Sequence, residues 1–157
     1  MKKLLTLTLL LALALGATAR VSTFGIGLII GEPTGLSAKW NLDKTNALAF
    51  HLAWSLRGGI AGGADYLIHT GWLPAPWRPY LGFGGRIAIW DHDNAAKPDE
   101  LDEGETELHV SGRGLIGIEY LFLEGHLGVA LEVGLGLDFI PAVDFDVSGG
   151  LALRYYF

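Results

Sequence analysis

From Leu127 to Phe139 the chain alternates without exception between bulky apolar residues and small or acidic ones. Consecutive side chains of a β-strand point to opposite faces. One face is therefore Leu127, Val129, Leu131, Val133, Leu135, Leu137 and Phe139. The other is Gly128, Ala130, Glu132, Gly134, Gly136 and Asp138. Seven further segments follow the same rule, so the chain reads as strands almost throughout, with little helical periodicity. Leu48, Phe50, Leu52, Trp54 and Leu56 alternate with Ala47, Ala49, His51, Ala53 and Ser55. Val110, Ile116, Ile118 and Tyr120 oppose His109, Ser111, Arg113, Leu115, Gly117 and Glu119. Leu81, Phe83, Ile87 and Ile89 oppose Gly82, Gly84 and Arg86, and Leu36, Ala38, Trp40 and Leu42 oppose Ser37, Lys39 and Asn41. Ala64, Tyr66, Ile68 and Thr70 face away from Asp65 and His69, and Val147, Leu151, Leu153, Tyr155 and Phe157 oppose Ser148, Gly150, Ala152, Arg154 and Tyr156. In Phe24–Ile30 the pattern is weaker, because Ile29 interrupts it. Turn-rich stretches separate the eight: Gly31–Gly35, Asp43–Asn46, Arg57–Gly63, Leu73–Pro79, Asp91–Glu107, Glu124–His126 and Pro141–Asp146.

Eight antiparallel strands close into an up-and-down barrel, and side-chain size decides which face lines it. The interior of an eight-stranded barrel holds little more than its own side chains. The Gly/Ala/Ser face fits there; the Leu/Ile/Val/aromatic face does not. Charge agrees. Lys39, His51, Asp65, His69, Arg86, Arg113, Glu119, Glu132, Asp138 and Arg154 all fall on the small-residue face. Turned outward into lipid, each basic group would cost about 2–4 kcal/mol near the midplane. The barrel is thus expected to be inside-out relative to a soluble protein, a transmembrane barrel with a filled polar lumen. Aromatics near the strand ends fit two interfacial belts. Trp40, Trp72, Trp77, Tyr120, Phe122, Tyr155 and Phe157 are expected at one rim, and Trp54, Trp90 and Phe139 at the other.

Composition narrows the classes further. The 157 residues are 50% hydrophobic and 18% charged, which excludes a disordered chain. An acidic balance, net −6, argues against a nucleic-acid partner. Without cysteine there is no disulfide scaffold, thiolate chemistry or lipoprotein anchor. At the N-terminus, Lys2 and Lys3, the apolar run Leu4–Leu15 and Ala17-Thr18-Ala19 have the layout of a secretory signal peptide. The expected division is a cleaved signal at 1–19 and a barrel over 20–157.

The closing residues Leu151, Leu153, Tyr155 and Phe157, spaced by two, resemble the last strand of bacterial outer-membrane proteins. With the signal peptide and eight strands, the mature chain resembles the small outer-membrane protein A/X type of barrel. The resemblance implies integral insertion in an outer membrane, with lipid and lipopolysaccharide as surroundings. It also implies escort by periplasmic chaperones and handling by the barrel-assembly machinery. It implies no reaction, because fold is a poor guide to function.

Four arrangements bear on chemistry. Lys39, Arg86, Arg113 and Arg154 against Asp65, Glu119, Glu132 and Asp138 form a balanced lumen charge network, read as structural. His51 and His69 lie on adjacent strands but lack the further ligands of a metal site. His109-Val110-Ser111 has the His-x-Ser order used by outer-membrane lipid A deacylases, with Glu119 as the acidic candidate. Parity turns that pair into the lumen, and Glu119 lies about 26 Å from Ser111 along a strand at about 3.3 Å per residue. Segment Asp91–Glu107 holds eight acidic residues and one Lys; it reads as a solvated outer loop, with loose Ca²⁺ or Mg²⁺ binding as the alternative and no EF-hand spacing for a dedicated site. No residue is assigned to catalysis, a cofactor or a metal. The expected role is structural or surface-interacting and non-enzymatic. The alternative is a lipid A deacylase-like enzyme, and behind it a narrow ion-conducting pore.

Overall fold

In the computed structural model, which describes residues 22–32, 34–55, 59–91, 106–141 and 143–157, eight antiparallel strands form a closed barrel. They are β1 (Phe24–Glu32), β2 (Thr34–Asn41), β3 (Asn46–Ser55), β4 (Gly59–His69), β5 (Trp77–Asp91), β6 (Thr106–Phe122), β7 (Leu127–Ile140) and β8 (Asp144–Tyr156). Each strand pairs with its sequence neighbours, and β8 returns to β1 through Leu28↔Leu153 and Gly25↔Tyr156. No sheet edge is left open. The expected architecture is therefore the observed one: all-β, eight strands, up and down. The expected signal peptide at 1–19 and most of the acidic stretch, 92–105, lie outside the described residues.

Parity assigns the faces as expected. Leu131, Leu135, Leu151 and Leu153 are exposed, whereas Ala130, Ala152 and Arg154 are buried. The outward positions of the strand interiors carry no charged side chain among the described residues. Inside, small residues make room for large ones. A Cβ at Gly117 would stand 2.4 Å from the Tyr80 ring, and one at Gly25 2.5 Å from the Tyr156 ring. Both rings use space that only glycine leaves. Ala47, Ala49, Leu67, Tyr80 and Leu115 pack as an apolar cluster within the lumen.

Three strand starts and the orientation of one residue differ from expectation. β4 begins at Gly59, inside the stretch Arg57–Gly63 read as a turn, because Gly59–Gly63 has too few large side chains to display alternation. β5 begins at Trp77 rather than near Leu81. Pro79 faces outward opposite Ile118, and its carbonyl still accepts from Thr70 N at 2.8 Å. β8 begins at Asp144, within the expected Pro141–Asp146 turn. Ile29 does not break the pattern of β1: it points into the lumen beside Gly150, whose missing side chain accommodates it. One register irregularity, a bulge between Val110 and Ser111 against β7, lets Phe139 close over Gly112.

The aromatic rims follow the same geometry. Trp77 packs edge-on against Tyr120, which packs on Phe122, and Tyr155 packs on Phe157, all at the end that carries both termini. Trp40 and Trp72 are exposed at that end, and Trp54 and Phe139 are exposed near the other. The side chain of Trp90 lies outside the described set.

Candidate functional site: the charged interior

The charged interior residues fall into three levels along the barrel axis. Nearest the termini, β2 contributes Lys39, β5 Arg78 and Tyr80, β6 Glu119, β7 Glu132, and β8 Arg154 and Tyr156. Lys39 Nζ lies 2.7 Å from Glu119 Oε2, and both side chains are wholly buried. The other carboxylate oxygen of Glu119 accepts from the Tyr156 hydroxyl at 2.5 Å and lies 3.7 Å from Arg154 Nη1. Arg154 binds Glu132 at 2.7 Å and donates its Nε–H to Ser37 Oγ at 2.9 Å. Tyr80 donates to the same Glu132 oxygen at 2.7 Å. Lys39 also reaches His69 Nε2 at 3.0 Å and sits 5.1 Å from the centre of the Tyr80 ring. The His69 tautomer that donates Nδ1–H to Thr45 O, at 3.1 Å, leaves Nε2 free to accept from Lys39. Burying so many charges is tolerable only because each finds an opposite partner.

At mid-height Arg113 grips Asp65 with two donors: Nε bonds Oδ1 at 2.8 Å and Nη2 bonds Oδ2. This forked geometry suits a guanidinium and a carboxylate. His51 completes the level, 3.5 Å from Asp65 and 3.4 Å from Arg113. Between the first two levels lies a space of about 30 Å³ beside Ser37, His51, Asp65 and Arg154, room for a water molecule. At the far level Arg86 pairs with Asp146 at 2.6 Å, and His109 lies 3.5 Å from Asp138. Ser111 Oγ donates to the Arg86 carbonyl at 3.5 Å.

The eight residues singled out from the sequence, Lys39, Asp65, Arg86, Arg113, Glu119, Glu132, Asp138 and Arg154, all line this interior, and the fold brings six of them into direct pairs. Arg86 and Asp138 find other partners. Asp146, which binds Arg86, and Arg78, 3.5 Å from Glu119, had been hidden inside stretches read as turns. Alternation extended by one pair, Arg78 with Tyr80, is the signal that finds the latter. His51 and His69 do not converge: one belongs to the Arg113 level and the other to Lys39. Among the described residues no group of three or more metal-ligating side chains is arranged around an ion site. Glu119 is far from His109 and Ser111, as its separation along β6 requires. Instead, Asp138 stands beside His109.

No family model and no curated protein matches the chain. Among solved structures it is similar to the N-terminal β-barrel domain of Pseudomonas aeruginosa OprF, with a TM-score of 0.67 at 16% identity, over 87% of this chain and 98% of that one. The fold is that of the small outer-membrane protein A/X type of barrel.

Proposed function

We propose that the chain is an integral barrel of a bacterial outer membrane with a structural or surface-interaction role and no catalytic activity. The observation that carries this reading is the division of its two walls. Every charged strand-interior side chain among the described residues points inward, while Leu, Ile, Val and aromatic side chains cover the outside. Water would penalise that outer wall and lipid does not. Lipid and lipopolysaccharide are the surroundings such a wall fits. The terminal Tyr155 and Phe157 are the features by which the barrel-assembly machinery, after chaperone escort, would take up the chain. The packed, paired interior supports a filled lumen rather than a pore.

The deacylase-like alternative draws on His109, Ser111 and Asp138. Against it, Ser111 is buried, its hydroxyl engages a backbone carbonyl, and it faces away from the wall where an acyl ester would lie. Fractionation followed by cold and heated gels tests the location: a heat-modifiable band in outer-membrane fractions is expected. A soluble periplasmic chain, or removal of an acyl chain from lipid A by wild type but not by Ser111→Ala, would overturn the reading.

A further inference from the structure

At the end that carries the termini, two cavities meet at Thr70. One is a groove of about 320 Å³ on the outer wall, lined by Leu81, Ile116, Ile118, Leu131 and Val133 and flanked by Trp72. Trp72 is 78% exposed, with its ring free to cover a ligand in the groove. The other cavity, about 270 Å³, opens at the barrel mouth beside Lys44, Thr45, His69 and Arg78. Thr70 lines both. Next to it, a Cβ at Gly71 would meet nothing within 4 Å, so the rim between the two cavities is bare.

The mouth carries unspent positive charge. Lys39, Arg78 and Arg154 surround Glu119 and Glu132, three cations to two anions. Of the three, Arg78 is the one that lines the mouth. Glu119 is already engaged by Lys39 at 2.7 Å and Tyr156 at 2.5 Å, and approaches Arg78 only to 3.5 Å. Both Nη1 and Nη2 of Arg78 are buried without a hydrogen-bond partner, a costly condition that an oxyanion would relieve. Lys44, exposed in the turn before β3, adds a fourth cation. Its neighbour Asp43 turns to the Thr45 and Asn46 amides and does not line the mouth.

We propose that the two cavities form one binding site for an anionic phospholipid of the periplasmic leaflet. Its phosphate lies at the Lys44–Arg78 side, the chain crosses the rim at Gly71, and an acyl tail follows the groove beside Trp72. Neither half alone specifies such a ligand: an apolar groove takes any acyl chain, and a basic mouth takes any small anion. Their junction at Thr70 selects a molecule that has both parts. This inference rests on the membrane-spanning reading above.

The test is to fold the chain into phosphatidylcholine vesicles containing a minor share of phosphatidylglycerol and to identify retained lipid by native mass spectrometry. Folding is checked in the same sample by the heat-modifiable band. The expected result is phosphatidylglycerol enriched over its bulk share by roughly fivefold for each basic side chain that engages it. Enrichment should fall in Lys44→Gln, an exposed turn position that leaves the barrel core untouched, and total retained lipid should fall in Trp72→Ala. A folded barrel that retains lipid in bulk proportion overturns the site and leaves the membrane reading standing. Enrichment unchanged in both variants, or abolished by millimolar inorganic phosphate, also overturns it, the latter by showing a site for a soluble anion. Failure of the wild-type chain to fold in any vesicle overturns the membrane reading itself.

Discussion

Lys39 and Glu119, eighty positions apart in sequence, face each other at 2.7 Å across the lumen with no solvent exposure on either side chain. They sit on β2 and β6, strands that share no hydrogen bond, so the contact ties opposite walls of the barrel together. Glu119 is the more consequential partner. It also faces Arg78, Arg154 and Tyr156, whereas Lys39 has only His69 and the Tyr80 ring in addition.

Glu119→Gln leaves three cations facing Glu132 alone and is expected to destabilise the folded barrel by about 3–5 kcal/mol. Lys39→Met leaves Glu119 with two guanidiniums and should cost less. Urea titrations in lipid vesicles measure both. The opposite order would show that the ion cluster is not organised around Glu119.

On the outer wall, Leu131→Arg and Leu135→Arg should each cost about 2–4 kcal/mol where they lie near the membrane midplane. Ala130→Ser, one residue away but inward, carries no such lipid penalty. Folding titrations that tolerate both arginines would contradict the assignment of faces.

Much of this wall is legible in the sequence. Leu127–Phe139 displays both faces because its outward residues are large and its inward ones small. The same rule fails at Gly59–Gly63, where Ile60 is the one large outward side chain among three glycines and an alanine, and at Trp77–Pro79, where proline masks a strand whose carbonyl is nevertheless paired. The proline hides Arg78, and Asp146 is hidden because it lies in the turn-like stretch Pro141–Asp146 where β8 begins. Partners inside the lumen were less legible than faces. Sequence neighbours determine which strands pair, but Lys39–Glu119 and Arg113–Asp65 meet through the curvature and stagger of the closed sheet. Parity places a charge inside without saying which opposite charge it meets.

The turn between β2 and β3 supplies a pH dependence. The carboxylate of Asp43 accepts from the amides of Thr45 and Asn46 at 2.7 and 2.8 Å and from the Asn46 side chain at 2.8 Å. These bonds hold its pKa below the usual 3.8. A carboxyl group depressed on folding contributes stability above its unfolded pKa and loses it as pH falls through the folded value. Hydrogen exchange of the Thr45 and Asn46 amides should therefore quicken as pH drops below about 4, relative to the intrinsic rate. In Asp43→Ala those amides should exchange fast at every pH. Protection independent of both acid and the substitution would sink the prediction.

At the other extremity, Phe157 donates its backbone N–H to Phe24 O at 2.9 Å, and its ring packs edge-on against Tyr155. Deleting Phe157 removes the last link of the β8–β1 seam together with the terminal aromatic. Slower insertion in cells and periplasmic aggregate are expected, read as a reduced heat-modifiable fraction on cold gels. Equal fractions from wild type and the deletion would contradict this.

The chain contains no cysteine, so a single introduced thiol reports one position without background. Cysteines placed one at a time at 129 through 135, labelled with an environment-sensitive fluorophore and folded into vesicles of brominated lipid, test the inside-out barrel directly. Quenching should alternate: strong at Val129, Leu131, Val133 and Leu135, weak at Ala130, Glu132 and Gly134. Uniform quenching, or strong quenching at the even positions, would contradict the account.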